Sequence, residues 1–182
     1  MRVIAGEAKG HNLKTPQGLS TRPTADKVKG SLFSMLIGKV YGATVLDLFA
    51  GSGALGIEAL SRGADSCVFT DMSQEALSCI RANLEHTKLL EKATVLKTNA
   101  ISYLENCRGS FDLIFLDPPY HKGLAEAAMD IISRRNLLKE GGYVSVETDG
   151  DEALPETFGT ICILKNKKYG RISLKIYKNG ID

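Results

Sequence analysis

The sequence lacks the features of a secreted or membrane-bound protein. None of its apolar runs approaches the length needed to span a bilayer. The first ten residues contain Arg2, Glu7 and Lys9 in place of the apolar stretch of a secretory leader. These absences predict a cytoplasmic protein with no membrane partner.

Cysteine and histidine are few and scattered. The three histidines do not cluster, and no Cys-x-x-Cys pair occurs among the four cysteines, Cys67, Cys79, Cys107 and Cys162. Metal sites need several such ligands at short spacing, so no metal is expected, and reduced thiols fit a cytoplasmic protein. Internal repeats, low-complexity segments and clear linkers are also missing. The 182 residues are therefore interpreted as a single domain, 1–182.

The charge of the chain is small overall but unevenly distributed. The net charge is +2, yet residues 1–40 hold seven Lys or Arg against two acids, and residues 159–182 hold six against one. The segment between them is acidic. Two basic ends on an acidic body favour a polyanionic partner such as a nucleic acid. Such ends are also common as plain solvated surface.

Strand and helix patterns alternate from residue 43 onward. Repeated βα units predict an α/β fold with a mostly parallel sheet, helices on both faces and a C-terminal antiparallel hairpin. The expected strands are 44–49, 66–70, 94–97, 111–116, 142–147, 160–165 and 172–177. The expected helices are 54–62, one that Ser73 caps, 101–106 and 123–135.

A basic N-terminal extension, residues 1–40, precedes the core at 41–182. Its glycine-separated segments 2–6 and 11–15 predict a small β-hairpin. Residues 25–36 carry apolar side chains at helical spacing, and Thr24 is placed to cap that helix. The charge and glycines of the extension suit contact with a partner.

A glycine-rich turn follows the first strand of the core. The spacing Gly51-x-Gly53-x-x-Gly56, with Asp71 closing the next strand, fits a dinucleotide-binding loop. However, Asp47 precedes the turn, where its carboxylate would repel a pyrophosphate and attract a cation. S-adenosylmethionine has an ammonium and a ribose but no phosphate, so the charges favour it over NAD.

Two further residues stand near the expected cofactor site, and each has a structural alternative. Met72 follows Asp71 and could pack on an adenine, although a buried methionine is commonly plain core. Asn99 follows the third strand and suits either an adenine contact or the N-cap of the helix at 101–106.

The sequence Asp117-Pro118-Pro119-Tyr120 ends the apolar run 111–116 abruptly. The two prolines remove backbone donors and fix two φ angles, and an acid and an aromatic ring stand beside them. In open α/β sheets ligands bind at the carboxyl ends of strands. Asp117 and the Pro118 carbonyl could accept hydrogen bonds from an exocyclic amino group while Tyr120 stacks on its ring. A plain strand-ending turn is the structural alternative.

These motifs together resemble the RsmD family. The resemblance is carried by residues 47–64, by Asp117 to Tyr120 and by the opening motif Arg22-Pro23-Thr24-Ala25-Asp26-Lys27-Val28-Lys29. It implies a Rossmann-like class I methyltransferase with a seven-stranded sheet. It also implies methyl transfer from S-adenosylmethionine to N2 of a guanine in 16S ribosomal RNA, with S-adenosylhomocysteine as product. The implied partner is the small ribosomal subunit or a late assembly intermediate.

The resemblance also assigns roles to residues. Asp117, Pro118, Pro119 and Tyr120 are implied to be catalytic and to hold the guanine amino group. The implied cofactor contacts are Asp47, Phe49, Ala50, Gly51, Ser52, Gly53, Asp71, Met72, Asn99 and Ala100. The implied RNA contacts are Arg22, Thr24, Lys27, Lys29, His121 and Lys122. Glu147, at the end of the fifth strand, is on the ligand side without an assigned role.

Other amino-group chemistry remains open at this point. A DNA adenine-N6 methyltransferase could use Asp-Pro-Pro-Tyr, but it usually needs a target-reading domain for which this chain has no room. A protein-glutamine methyltransferase typically begins the related motif with Asn. A non-enzymatic RNA-binding module would leave Asp47, Asp71 and Asp117 unexplained. Nothing in the sequence demands more than a monomer.

Overall fold

Eight strands join one mixed sheet. The computed structural model describes residues 1–17 and 23–180. Its strands are β1 (Thr44–Asp47), β2 (Ser66–Asp71), β3 (Ala93–Lys97), β4 (Phe111–Leu116), β5 (Leu138–Asp149), β6 (Thr157–Phe158), β7 (Ile161–Tyr169) and β8 (Ile172–Asn179). Their spatial order is β3-β2-β1-β4-β5-β8-β7-β6. Strands β1 to β5 pair in parallel, and β8 runs antiparallel to both β5 and β7.

Helices cover both faces of this sheet. They are α1 (Pro23–Met35), α2 (Ala54–Ser61), α3 (Gln74–His86), α4 (Ala100–Asn106) and α5 (Leu124–Arg134), with a 3₁₀ turn at Leu90–Lys92. One hydrophobic core packs α1, α2 and α3 against one face, and a second packs α4 and α5 against the other. In the part of the chain that the structure describes, no helix has the length and apolar character that crossing a bilayer demands.

The sheet has one strand more than the seven expected. The two-residue strand β6 pairs with the start of β7 across a turn at Gly159, which has a φ of +60°. Two residues are too few to show a period-2 pattern, so this edge strand gave no sequence signal. Strand β5 also begins at Leu138, four residues earlier than expected.

The expected N-terminal hairpin forms only in part. Segments 2–6 and 11–15 meet in an isolated antiparallel bridge between Arg2 and Asn12, and the N–H groups of Val3 and Leu13 donate to the carbonyls of His11 and Met1 at 3.0 and 2.8 Å. The next two backbone N–H groups bind a side chain of α2, so the pairing does not extend further. Those of Ile4 and Ala5 donate to the Glu58 carboxylate at 2.8 and 3.0 Å. These hydrogen bonds attach the segment to α2, and its own antiparallel pairing stays short.

The expected cap of α1 is wrong. Helix α1 begins at Pro23, so Thr24 is its second residue and not its N-cap. Proline suits the first position of a helix because its fixed φ is helical and its missing N–H would have no intrahelical partner. The side chain of Thr24 and the whole of Arg22 lie outside the described residues.

Helix α2 packs unusually close to the sheet because of Gly56. A Cβ at this position would lie 2.3 Å from the Phe69 ring of β2, so a larger residue would push the helix away. Because α2 begins directly after the glycine-rich turn at 51–53, this close packing also sets the position of the turn relative to β2. The third glycine of the motif thus has a packing role.

The side chain of Glu58 ties three parts of the fold together. It is fully buried and forms ion pairs with Lys29 of α1 at 3.1 Å and with Arg62 at 2.8 Å. It also accepts the two N-terminal amide hydrogen bonds. Each carboxylate oxygen thus has one amide donor and one cation, which offsets the cost of burying the charge.

We expect Glu58→Ala to lower the free energy of unfolding by about 3–5 kcal/mol, because it leaves buried Lys29 without its counter-charge. Urea unfolding followed by circular dichroism measures this loss. The matched control is Glu105→Ala, which removes an exposed ion pair with Arg134 and should cost less than about 1 kcal/mol. Equal losses in the two variants would contradict the role given to Glu58.

Candidate active site

A cavity of about 990 Å³ opens at the carboxyl ends of the parallel strands. Its lining comes from the ends of β1, β2, β4 and β5, from the turn at 49–52, from α1 and from the β7–β8 turn. All ten residues implied as cofactor contacts line it except Gly53, and so do Asp117, Pro118, Pro119 and Tyr120. The sequence motifs, which are up to 73 residues apart, therefore meet in one place.

The glycine-rich turn is held in shape by Asp71 at the end of β2. One carboxylate oxygen of Asp71 accepts from the Gly51 N–H at 3.0 Å, and the other accepts from the Ser73 N–H at 2.8 Å. Gly51 and Gly53 have φ angles of +56° and +76°, which favour glycine. The acid expected to bind a ribose also orders the turn beneath it.

Asp47 is a buried carboxyl at the base of the cavity. Its side chain accepts a hydrogen bond from the Gly56 N–H at 2.9 Å, and the residue is 1% exposed. Burial raises the pKa of Asp47 to about 7, and the negative charge of Asp71 adds to the shift. A carboxyl in this state favours a cationic ligand, whose charge would stabilise the ionised form.

Asn99 and Met72 form a contacting pair on the cavity wall. The Asn99 side chain caps α4 by accepting from the Ser102 N–H at 3.1 Å, which confirms the N-cap interpretation. Its amide nitrogen lies 3.5 Å from the Met72 sulfur. Met72 is 63% exposed, so it is not core. An exposed thioether beside an amide is a suitable surface for a flat ring.

The strand-ending motif presents its acid and its aromatic ring to the same cavity. Pro118 is buried, and Asp117 is accessible through the cavity although protein groups closely surround it. The surrounding protein groups limit the hydration of this carboxyl although its surface is open to the cavity. This desolvation, with the nearby charges of Glu147 and Asp47, raises the pKa of Asp117 well above its usual range. The Tyr120 hydroxyl donates to Glu147 at 2.8 Å, which fixes the ring at the cavity edge.

The expected RNA contacts are not all alike. Lys27, His121 and Lys122 are exposed, as a phosphate contact requires. The His121 ring lies 3.3 Å from Asp149, and its backbone N–H donates to Glu152 at 3.3 Å. The loop after the motif is thus held against the end of β5.

Lys29 does not fit the expected role of an RNA contact. Its side chain is 2% exposed and pairs with Glu58, so its charge is already neutralised inside the protein. Burial lowers the pKa of Lys29, and Glu58 opposes the shift. A phosphate contact needs an accessible charge, so the role of Lys29 is to hold α1 in place.

Two parts of the site were missed by the sequence interpretation. Tyr169 and Arg171, from the β7–β8 turn, line the cavity. The charge of the C-terminal segment was their only sequence signal. Glu147 was placed on the ligand side, but its bond to Tyr120 joins residues 27 positions apart and left no pattern.

Comparison with known proteins gives one consistent answer. The family described as Conserved hypothetical protein 95 matches residues 1–178. The ribosomal RNA small subunit methyltransferase D of Haemophilus influenzae is 36% identical over 184 residues, covering 98% of this chain and 94% of its own length. YlbH of Bacillus subtilis is 42% identical over 181 residues and 98% of each chain. The solved structure of YhhF from Escherichia coli has a TM-score of 0.90 and 29% identity, covering 100% of this chain and 99% of its own.

The strand order, the glycine-rich turn and the carboxyl-edge cavity define a class I methyltransferase fold, which confirms the expected fold class. The chain belongs to the Conserved hypothetical protein 95 family, the RsmD family of ribosomal RNA methyltransferases.

The raised pKa of Asp47 predicts a pH-dependent difference between the wild type and Asp47→Asn. The folded pKa is about 7 and the ordinary value is 3.8, so ionisation of Asp47 disfavours the fold. This cost is absent below about pH 4, grows between pH 4 and 7 and is complete above 7. Asparagine can still accept from Gly56 but carries no charge. Urea unfolding from pH 4 to 8 should show the variant gaining stability relative to the wild type, and a constant difference would contradict the assignment.

Proposed function

We propose that this protein methylates N2 of a guanine in 16S ribosomal RNA with S-adenosylmethionine as the methyl donor. The proposal is carried by the convergence of Asp117 to Tyr120 with the glycine-rich turn in one cavity. It is supported by the relatives named ribosomal RNA small subunit methyltransferase D.

The residues of the cavity fit S-adenosylmethionine. The buried carboxyl of Asp47 would hold the ammonium, and Asp71 would hold the ribose hydroxyls with the lone pairs that its two backbone hydrogen bonds leave. Met72 and Asn99 would flank the adenine, beside Ala100. The turn residues Phe49 to Gly53 would lie along the cofactor. When bound, this cofactor supplies a methyl group that its sulfonium activates.

The strand-ending motif would hold the acceptor. The guanine would be turned out of its stack into the cavity and would lie against Tyr120. Asp117 and the Pro118 carbonyl would accept hydrogen bonds from the N2 amino group and aim its nitrogen at the methyl group. Asp117 would also stabilise positive charge that develops on N2. Most of the acceleration would come from holding and desolvating two reactants.

Basic residues near the cavity would hold the RNA around it. Lys27 and Lys122 are exposed, and Arg171 lines the mouth. Together with His121 and the undescribed Arg22, these residues would bind phosphates, which position an RNA without reading its sequence. The substrate would be the small ribosomal subunit or a late assembly intermediate, and the enzyme would act as a cytoplasmic monomer.

Transfer of labelled methyl groups tests the proposal. Small ribosomal subunits that lack the modification, naked 16S RNA, DNA and protein would be offered side by side, and the product nucleoside would be identified after digestion. We expect N2-methylguanosine in the RNA. Label found only in DNA as N6-methyladenine, or only in protein, would reject the substrate.

A single substitution tests the role of Asp117. Asp117→Ala should lower kcat by about a hundredfold or more, because it removes a group that stabilises charge on the acceptor. Calorimetric titration with S-adenosylhomocysteine should show nearly unchanged cofactor affinity. The control is Asp130→Ala, an exposed acid on α5, which should change neither quantity. An equal fall in turnover and cofactor affinity would assign Asp117 to cofactor binding.

A further inference from the structure

Glu147 stands beside Asp117 on the neighbouring strand and is not needed for holding the cofactor. Strands β4 and β5 run parallel with Leu116 opposite Val146, so Asp117 and Glu147 follow as the next pair. Side chains opposite one another in a sheet point to the same face. Both acids therefore leave the sheet edge on the same side, and both line the cavity.

A tyrosine fixes the position of the Glu147 carboxylate. The Tyr120 hydroxyl donates to its Oε1 at 2.8 Å, so the ring that would stack on the base and the acid are joined. This bond uses one oxygen and leaves the lone pairs of the second oxygen for a ligand. Burial raises the pKa of Glu147, and the hydrogen bond from Tyr120 opposes that shift by favouring the ionised form.

Two neighbouring acceptors match one edge of guanine. Its Watson–Crick edge presents N1–H and the N2 amino group side by side, and both are donors. Adenine presents an acceptor, N1, beside its amino group. An ionised carboxylate next to the amino-binding site would therefore attract guanine and repel adenine.

We propose that Glu147 determines the choice of base by accepting a hydrogen bond from guanine N1–H, while Tyr120 holds its carboxylate in position. This inference rests on the guanine-N2 function proposed above and adds the residue that selects the base. Asp117 binds the group that reacts, and Glu147 binds its neighbour. The pair explains why a motif that suits any exocyclic amine would act on guanine in this chain.

The test changes N1 of the target base from a hydrogen-bond donor to an acceptor. Small subunits would be reconstituted from splint-ligated 16S RNA that carries guanosine or 2-aminoadenosine at the position where the transfer assay maps the label. 2-Aminoadenosine keeps the N2 amino group, but its N1 is an acceptor and an amino group replaces the 6-oxygen. The Glu147→Gln comparison on both substrates isolates the part of the preference that depends on N1. The measured quantity is kcat/KM on each substrate for the wild type, Glu147→Gln and the control Glu140→Gln. Glu140 is an exposed acid on the same strand.

We expect the wild type and Glu140→Gln to prefer guanosine strongly. Glu147→Gln should lose about tenfold to a hundredfold on guanosine, because a charge-assisted hydrogen bond is lost. It should gain on 2-aminoadenosine, since the glutamine amide can donate to N1, so the preference should shrink by more than tenfold. Tyr120→Phe should shrink the preference less, because the carboxylate remains but is held less firmly.

Other outcomes separate this inference from the function on which it rests. If Glu147→Gln loses the same factor on both substrates, Glu147 only supports Tyr120 and the inference is wrong. Unchanged affinity for S-adenosylhomocysteine in calorimetry would show that such a loss does not come from misfolding. If wild-type enzyme transfers no methyl group to guanosine-containing subunits, the proposed function itself fails.

Discussion

The buried carboxylate of Glu58 is the interaction on which the shape of the cavity depends. It binds Lys29 of α1, the backbone of the N-terminal segment and Arg62 at the end of its own helix. Helix α1 in turn supplies Ala25, Val28 and Leu32 to the wall of the cavity. The pairing of one acid with two cations and two amides thus converts a basic extension into part of the site. Without these contacts α1 would not be fixed against α2, and the cavity would lack the wall that α1 forms.

The side chain of Asn83 continues this attachment to the glycine-rich turn. Its amide donates to the carbonyls of Lys14 and Ser52, both at 2.9 Å, and its oxygen accepts from the Lys14 N–H. The N-terminal segment and the turn expected to hold the cofactor are therefore fastened to the same residue of α3. The position of the turn and the position of the N-terminal segment therefore depend on each other through Asn83.

Local patterns predicted the elements of this fold better than the contacts between them. The period of the apolar residues predicted the parallel sheet, and the glycine spacing predicted the turn. Asp71 was expected to bind a ribose, and its hydrogen bond to the turn was not predicted. The sequence interpretation missed the partner of Lys29, because a buried lysine and a surface lysine look the same until Glu58 is brought beside it. The N-terminal hairpin is shorter than expected for the same reason, since the amides of Ile4 and Ala5 bind a side chain more than fifty residues away. Strand order placed Glu147 on the ligand side, but only the structure joined it to Tyr120.

The acids that cluster at one edge of the sheet lower the stability of the folded chain. Parallel strands end together, so Asp47, Asp117 and Glu147 are brought into one partly dehydrated space, and the charges of Glu147 and Asp47 disfavour ionisation of Asp117 between them. If these positions served stability alone, apolar residues would be at least as stabilising there. A ligand that brings positive charge and several N–H donors would offset this unfavourable free energy. The ammonium of S-adenosylmethionine beside Asp47 and the donor edge of guanine beside Asp117 and Glu147 would satisfy all three. The repulsion on Asp117 would thus favour the proposed pair of ligands over anionic or acceptor-rich competitors.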